Sequence, residues 1–401
     1  MSEPLSSVRT MNDGRRRRSA KQDRRNARRA RRRQPVDDDA LLVRTLRETM
    51  NKSPAAMIGL AGLWISLATP EPFSRPKEEP RDEFSLEAFI YSLVCRKYRE
   101  TTAMLAILGE LLVDDEVLRD WCRREVSTRH DRVPRWIARL PTVDVSRVMR
   151  RSDVLGDVDE VVVSLRLADA TELTLCAVLD HNHQSVVVDF YLLTGPLEAL
   201  VQAREKSDRE TTFVDMDPAD ARAWLENGLR YEKYARRSQE CNYAAPIMKW
   251  MVARLPEGGT AYEKPDWDDD AITELLDEFF ASSSGTPFAG NDYRDMLQEL
   301  CESGYGDPLR WSEFRISNIL RNPYHDEHVP LEIALDAPAM LRAFVPFAHS
   351  RSGVRQGLTD DAIKTIDEMS RDYRRRLVDE ATQYLDGDDT PPWPTYPDRA
   401  S

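Results

Sequence analysis

Two clusters of side chains have the types that catalysis or ligand capture requires. The first is Asp180-His181-Asn182-His183, followed within ten residues by Asp189. Imidazoles and carboxylates this close together can trade protons near neutral pH or hold a metal. A hydrolase built here would take Asp180, His181 and Asp189 as catalytic residues, with Asn182 beside them. Spacing argues for something simpler: the histidines flank one turn residue, and the two aspartates fall on consecutive strands. Asp and Asn bond their own backbone in turns, which explains the cluster without chemistry. The second cluster is Gly306-Asp307-Pro308-Leu309-Arg310-Trp311-Ser312. Arg310 beside Trp311 could hold a carboxylate or phosphate. Asp307-Pro308 and Ser312 also read as helix starts, and Trp311 as a core anchor.

Other candidates are weaker. His325-Asp326-Glu327-His328 sits between Asn322-Pro323 and Pro330, which makes it a loop, and it lacks the paired i, i+4 histidines of a zinc helix. The acidic groups 37–39, 114–116, 268–270 and 360–361 each head an expected helix, where negative charge favours the helix dipole. No glycine-rich phosphate cradle occurs. The sequence therefore predicts no metal and no cofactor. Cys95, Cys122, Cys176, Cys241 and Cys301 are odd in number and widely spaced, as reduced thiols in a cytoplasmic protein would be.

Charge is sharply partitioned. Residues 1–34 hold twelve arginines and Lys21 against three acids, a net of +10, and the other 367 residues carry −23. Arg15, Arg16, Arg17, Arg18, Arg24, Arg25, Arg28, Arg29, Arg31, Arg32 and Arg33 could neutralise about ten phosphates. The run 23–34 is similar to arginine-rich peptides that fold on RNA. It has no aromatic residue for base stacking, so the expected nucleic-acid binding is non-specific and favours RNA over DNA. The bland readings are a solubilising tail, a contact with the acidic body, or a start codon at Met11 or Met50 that removes the arm.

The elements that must position these groups follow from periodicity. Residues 1–35 read as a disordered arm and 36–150 as a helical region, with helices begun at Pro54, Ser85, Asp114 and Pro134. Ser53 to Pro70 carries no charge, but its strongly apolar part is about half the roughly 20 residues a membrane span needs. It is expected to be a buried helix, with no membrane involved. From 158 the alternation of Val161, Val163, Leu165 and Leu167, then Leu173 to Leu179, then Val186 to Leu193, predicts a three-stranded antiparallel meander. Thr211 to Val214 is a candidate short strand. The region 151–256 therefore combines the meander with helices. Residues 257–385 read as helical, with the last helix opened by Thr359, and 386–401 as a proline-rich tail, itself a candidate docking peptide.

Three segments, 180–182 with Asp189, 306–312 and Pro338 to Val345, follow in an order that resembles a family of uncharacterised cytosolic proteins of high-GC Gram-positive bacteria, over roughly 37–385. The resemblance implies helices at both ends around a small sheet, an ordinary helix at 53–70, and no established activity. Relatives tend to have glycines where this chain has Gln184 and Ser185, and proline where it has Glu313.

The expectation is an α+β protein, mostly helical, with a small antiparallel meander in its middle third between N- and C-terminal helical regions. In function it is expected to be a non-enzymatic cytoplasmic protein that binds nucleic acid through 1–34, with a protein partner possible. The alternatives are a hydrolase at the meander corner and a protein-interaction scaffold.

Overall fold

The computed structural model describes residues 40–68, 84–207, 211–231, 239–322 and 329–385. The arginine arm, Asp37 to Asp39, the connector 70–83, the loop His325 to His328, the side chain of Cys241 and the tail 386–401 lie outside the described residues. The protein is α+β and mostly helical, with an antiparallel sheet in the middle of the chain. It divides into two compact units.

The first unit comprises residues up to Val143 together with Leu167–Thr171 and Tyr243–Trp250. Its helices are α1 (40–52), α2 (Pro54–Leu67), α3 (Leu86–Val94), α4 (Arg99–Leu111), α5 (Glu116–Thr128) and α6 (Arg135–Ala138). Proline at the first position and the Ser53 hydroxyl, which accepts from Ala56 N–H, start α2 where the sequence places it. At 14 residues α2 is short, and among the described residues no helix is long and apolar enough to cross a membrane. The centre is α4, whose Ala103, Met104, Leu105, Ile107 and Leu108 are fully buried. Ser85 caps α3 as expected, and that helix stops at Val94. Arg129 explains the stop, because its Nη2 donates to the carbonyls of Leu93 and Val94 and satisfies a helix end. Helix α5 is capped by Asp115 and not by Asp114, whose carboxylate takes Lys249 Nζ at 2.8 Å.

The second unit holds the sheet and the C-terminal helices. Its strands are β1 (Val145–Asp153), β2 (Val158–Arg166), β3 (Glu172–Asp180), β4 (Val186–Thr194) and β5 (Thr211–Asp215), in the order β4-β3-β2-β1-β5. The three strands of the expected meander are β2, β3 and β4, and β5 realises the candidate at 211–214. Strand β1 is an addition, and its residues 145–150 fall in the region read as helical. Its sequence VSRVMRRSD buries only Val148 and Met149, so no alternation announces it. One face of the sheet, with Met149, Val162, Cys176 and Tyr191, packs under α7 (Leu197–Ser207). Helix α8 (Pro218–Arg230), opened by Asp217 and Pro218, brings Ala221, Trp224 and Leu225 into the buried core and packs on β1 and β4.

After α9 (Gln239–Val252) come α10 (Asp269–Ala281), α11 (Asn291–Glu302), α12 (Glu313–Arg321), α13 (Leu331–Ala334), α14 (Ala337–Ser352) and α15 (Gln356–Leu385). Their shared core includes Phe279, Leu297, Trp311, Ile316, Leu341, Phe344, Ile366 and Tyr373. Asp268 and Ser312 cap α10 and α12. Thr359 does not open the last helix, which starts at Gln356. Thr359 lies inside it, and its hydroxyl meets His349 Nδ1 at 2.9 Å. Trp311 is the anchor the sequence suggests: fully buried, edge-on to Phe344 at 5.9 Å, with its indole N–H donated to Pro308 O. Trp311→Ala should cost about 3–5 kcal/mol, measured as a drop in the urea midpoint at unchanged m-value.

Candidate functional site

The turn His181–His183 leaves β3 as a single 3-10 turn. Asp180 initiates it, accepting Asn182 N–H on one oxygen and meeting His183 Nδ1 at 2.6 Å with the other. This hydrogen bond raises the pKa of the exposed His183 above the ordinary imidazole value. Asp180 thus engages His183 and not His181. Asp189 is exposed, pairs with Val178 in the sheet and accepts its neighbour Phe190 N–H. It lies two residues from Tyr191, on the face under α7. The proposed trio of Asp180, His181 and Asp189 is therefore not assembled, because strand alternation and the turn send the three side chains to different partners.

The partners of His181 are residues the sequence reading did not single out. Its Nε2 lies 3.1 Å from Asp159 Oδ2 and its Nδ1 2.9 Å from Ser185 Oγ. With Asp159 as the acceptor, Nε2 carries the proton and Nδ1 accepts from the Ser185 hydroxyl. That order of serine, histidine and aspartate has the polarity of a nucleophilic relay. All three members are buried. His181 is fully buried, and Ser185 and Asp159 are 4% and 5% exposed. The ring stacks on Tyr262 at 3.7 Å and meets Trp224 edge-on at 5.9 Å. Strand register could have exposed the pairing, since Val158 stands opposite Asp180 and puts Asp159 beside the following turn.

The relay holds unusual backbone. Gln184 and Ser185 have φ of 57° and 55°, the left-handed region that costs a non-glycine residue about 1–2 kcal/mol. The Ser185 hydroxyl is tied to His181, whereas Gln184 is exposed.

The second cluster packs beside the first. Tyr305 N–H donates to Asn182 Oδ1 at 2.8 Å, and Gly304 (φ 61°) has no room for a side chain, since a Cβ would lie 2.5 Å from that same oxygen. Ser312 donates to Asp157 in the β1–β2 turn while capping α12. Asp157 is 3% exposed, and burial pushes its carboxyl up to about 7, opposed by the Ser312 hydrogen bond. Arg310 meets Asp307 at 3.3 Å, so its charge is engaged within its own turn. His349 Nε2 accepts Trp311 N–H, and burial drives His349 down to about 4. Arg315, 1% exposed, donates to the carbonyls of Leu300, Cys301, Asp307 and Arg310, and stacks 4.1 Å over Trp311. Asn182 thus meets the turn at Tyr305, and Trp311 meets Phe344 of α14. Among the described residues no group of three or more His, Cys, Asp or Glu side chains is placed to hold a metal.

No protein-family model matches the chain, and no curated protein or solved structure matches it.

Two expectations follow. Gln184→Gly should raise stability by about 0.5–1 kcal/mol by relieving the left-handed strain, whereas Ser185→Ala should lower it by about 1–3 kcal/mol by stranding His181; urea titration reads both. The buried acid and imidazole should also give opposite pH slopes. Folded Asp157 holds a proton that the unfolded chain releases between about 4 and 7, so its contribution falls as pH rises. The unfolded chain protonates His349 below its ordinary 6.5, while the folded protein resists down to about 4, so that contribution falls as pH drops. Asp157→Asn should leave stability rising with pH across this window relative to wild type, and His349→Gln should leave it falling.

Proposed function

We propose that the protein is a non-enzymatic binding protein whose arginine-rich residues 1–34 bind nucleic acid, RNA in preference to DNA, without sequence selection. The observation that carries this reading is the charge partition, +10 on 1–34 against −23 on the remainder. Counterion release from phosphates gives such a segment affinity independent of base identity. The absence of Trp, Tyr and Phe between Arg15 and Arg33 removes the stacking on which base selection depends. Support also comes from the meander corner, where the groups a hydrolase would use are engaged with Asp159, Ser185, His183 and backbone N–H groups. The acidic remainder would repel a polyanion and confine contact to the arm, in keeping with a cytoplasmic protein. The family resemblance transfers no activity to this reading.

Binding of the full chain to a mixed-sequence single-stranded RNA should weaken steeply with salt, with a log–log slope of about −7 if about ten phosphates are contacted. Deleting 1–34 should abolish it, and scrambling the RNA sequence should change little. Equal retention by the truncated protein, read by fluorescence anisotropy, overturns the proposal.

A further inference from the structure

One surface of the first unit departs from the acidic balance of the chain beyond residue 34. Lys97, Tyr98 and Arg99 are exposed at the junction of α3 and α4. Arg132 and Arg135 are exposed in the loop after α5 and at the start of α6. Residues 124–139 carry five arginines against Glu125 and Asp131, a net of +3 within a remainder of −23. Two contacts join the stretches. Asp131 Oδ2 accepts the Thr102 hydroxyl at 2.6 Å in the first turn of α4, and Arg129 Nη1 reaches Arg96 O at 3.4 Å. Trp136 and Ile137 are buried beside Arg135, which leaves the arginine outward.

The acids of this neighbourhood are already engaged. Asp131 serves Thr102, Glu125 meets Arg129 at 2.8 Å, and Glu100 meets Arg47 at 2.7 Å. Lys97, Arg99, Arg132 and Arg135 make no ion pair among the described residues. Lys97 and Arg99 also stand at the amino end of a 13-residue helix, where the dipole favours negative charge. Cations without a counter-charge at the positive end of a helix suit an anion from outside the chain. Between them the Tyr98 side chain is 53% exposed. Its N–H bonds Thr101 Oγ1 and its carbonyl accepts Thr102 N–H, so the main chain is fixed beneath an open ring.

Cations flanking an aromatic ring match a single strand, which offers phosphates and bases in alternation. Chain connectivity points to the same partner. Helix α1 begins at residue 40, and Arg47, seven residues on, is the residue bonded to Glu100 in the first turn of α4. The start of α1 therefore lies within about 10 Å of that contact along the helix, and RNA held by 1–34 meets this surface at high effective concentration. We propose that this surface is a second contact for the same strand, a role that rests on RNA binding by residues 1–34. Lys97, Arg99, Arg132 and Arg135 take phosphates, and Tyr98 stacks on a base. Four charges on an acidic body do not hold RNA without the arm, so the surface orients a strand already captured. Stacking is indifferent to base identity, so the contact adds no sequence selection.

The test is fluorescence anisotropy of the full chain with a mixed-sequence single-stranded RNA across a salt series. Lys97→Gln, Arg99→Gln, Arg132→Gln and Arg135→Gln together should weaken binding at least about tenfold and reduce the steepness of the log–log slope by about 3. The circular dichroism spectrum should not change. Tyr98→Ala should weaken binding about fivefold or more at an unchanged slope. Removing charge from the second unit by Lys364→Gln and Arg371→Gln should change neither quantity. The proposal alone is overturned if deletion of 1–34 abolishes binding while the fourfold variant keeps wild-type affinity and slope. It is also overturned if the α15 substitutions cost as much per charge, or if the fourfold variant loses phosphatidylserine vesicles and keeps RNA. Undiminished RNA binding without 1–34 sinks the arm's role, and this second contact with it.

Discussion

A buried guanidinium spending its donors on main-chain carbonyls is the interaction around which the second unit is organised. Helix α11 ends with unpaired carbonyls, as every helix does, and the chain then turns sharply through 303–312 before α12 begins. Arg315 reaches back from α12 to Leu300 and Cys301 at the helix end and to Asp307 and Arg310 in the turn. Burial lowers its pKa, opposed in part by Asp157 and Asp307, so the charge is retained only because dipoles and carboxylates surround it. The device recurs. Arg129 closes α3 through Leu93 and Val94, and Arg376 closes α12 through Leu320 and Arg321. Guanidinium suits this task because its planar fork reaches several carbonyls at once, which a lysine ammonium cannot do in fixed geometry.

The same economy places a Ser-His-Asp constellation in the interior. The Ser185–His181–Asp159 chain has the donors and acceptors in a catalytic order, yet its members are buried and enclosed by Tyr262 and Trp224. A nucleophile requires a place for the reacting carbon, and the Ser185 side chain is instead enclosed with the ring it bonds. What the relay supplies is rigidity for two residues in a backbone conformation they disfavour. The hydrogen bond from Ser185 offsets part of that strain, and the stacked ring fixes the direction in which the turn delivers Asn182.

Much of the fold was readable from residue pattern because local rules and tertiary demands agreed. Ser53, Ser85, Asp217-Pro218, Asp268 and Ser312 start helices where an oxygen is needed for free N–H groups. The alternation in β2 and β3 survives because their burial is decided by side-chain parity. Strand β1 was illegible because Arg147, Arg150 and Arg151 interrupt its apolar residues; their charges are met by Asp215, Asp159 and Glu160, partners fixed only by the assembled sheet. Thr359 misled for a related reason. Threonine before acids resembles a cap, but its hydroxyl serves His349, and the helix had begun three residues earlier.

At the candidate site, residue types were legible and pairings were not. Asp180, His181 and Asn182 do belong to one structural knot, and Asp307, Arg310 and Trp311 to the adjoining one, as their chemistry suggested. Which carboxylate meets His181 depends on strand register, and which carbonyls take the Arg315 guanidinium depends on how α12 packs beside the end of α11. Neither quantity is encoded in spacing along the chain. An arginine run attracts phosphates whatever its conformation, because counterion release needs only charge density. The buried donors of Arg315 reach their carbonyls only from a rigid support, the helix α12, capped at one end by Ser312 and at the other by Arg376.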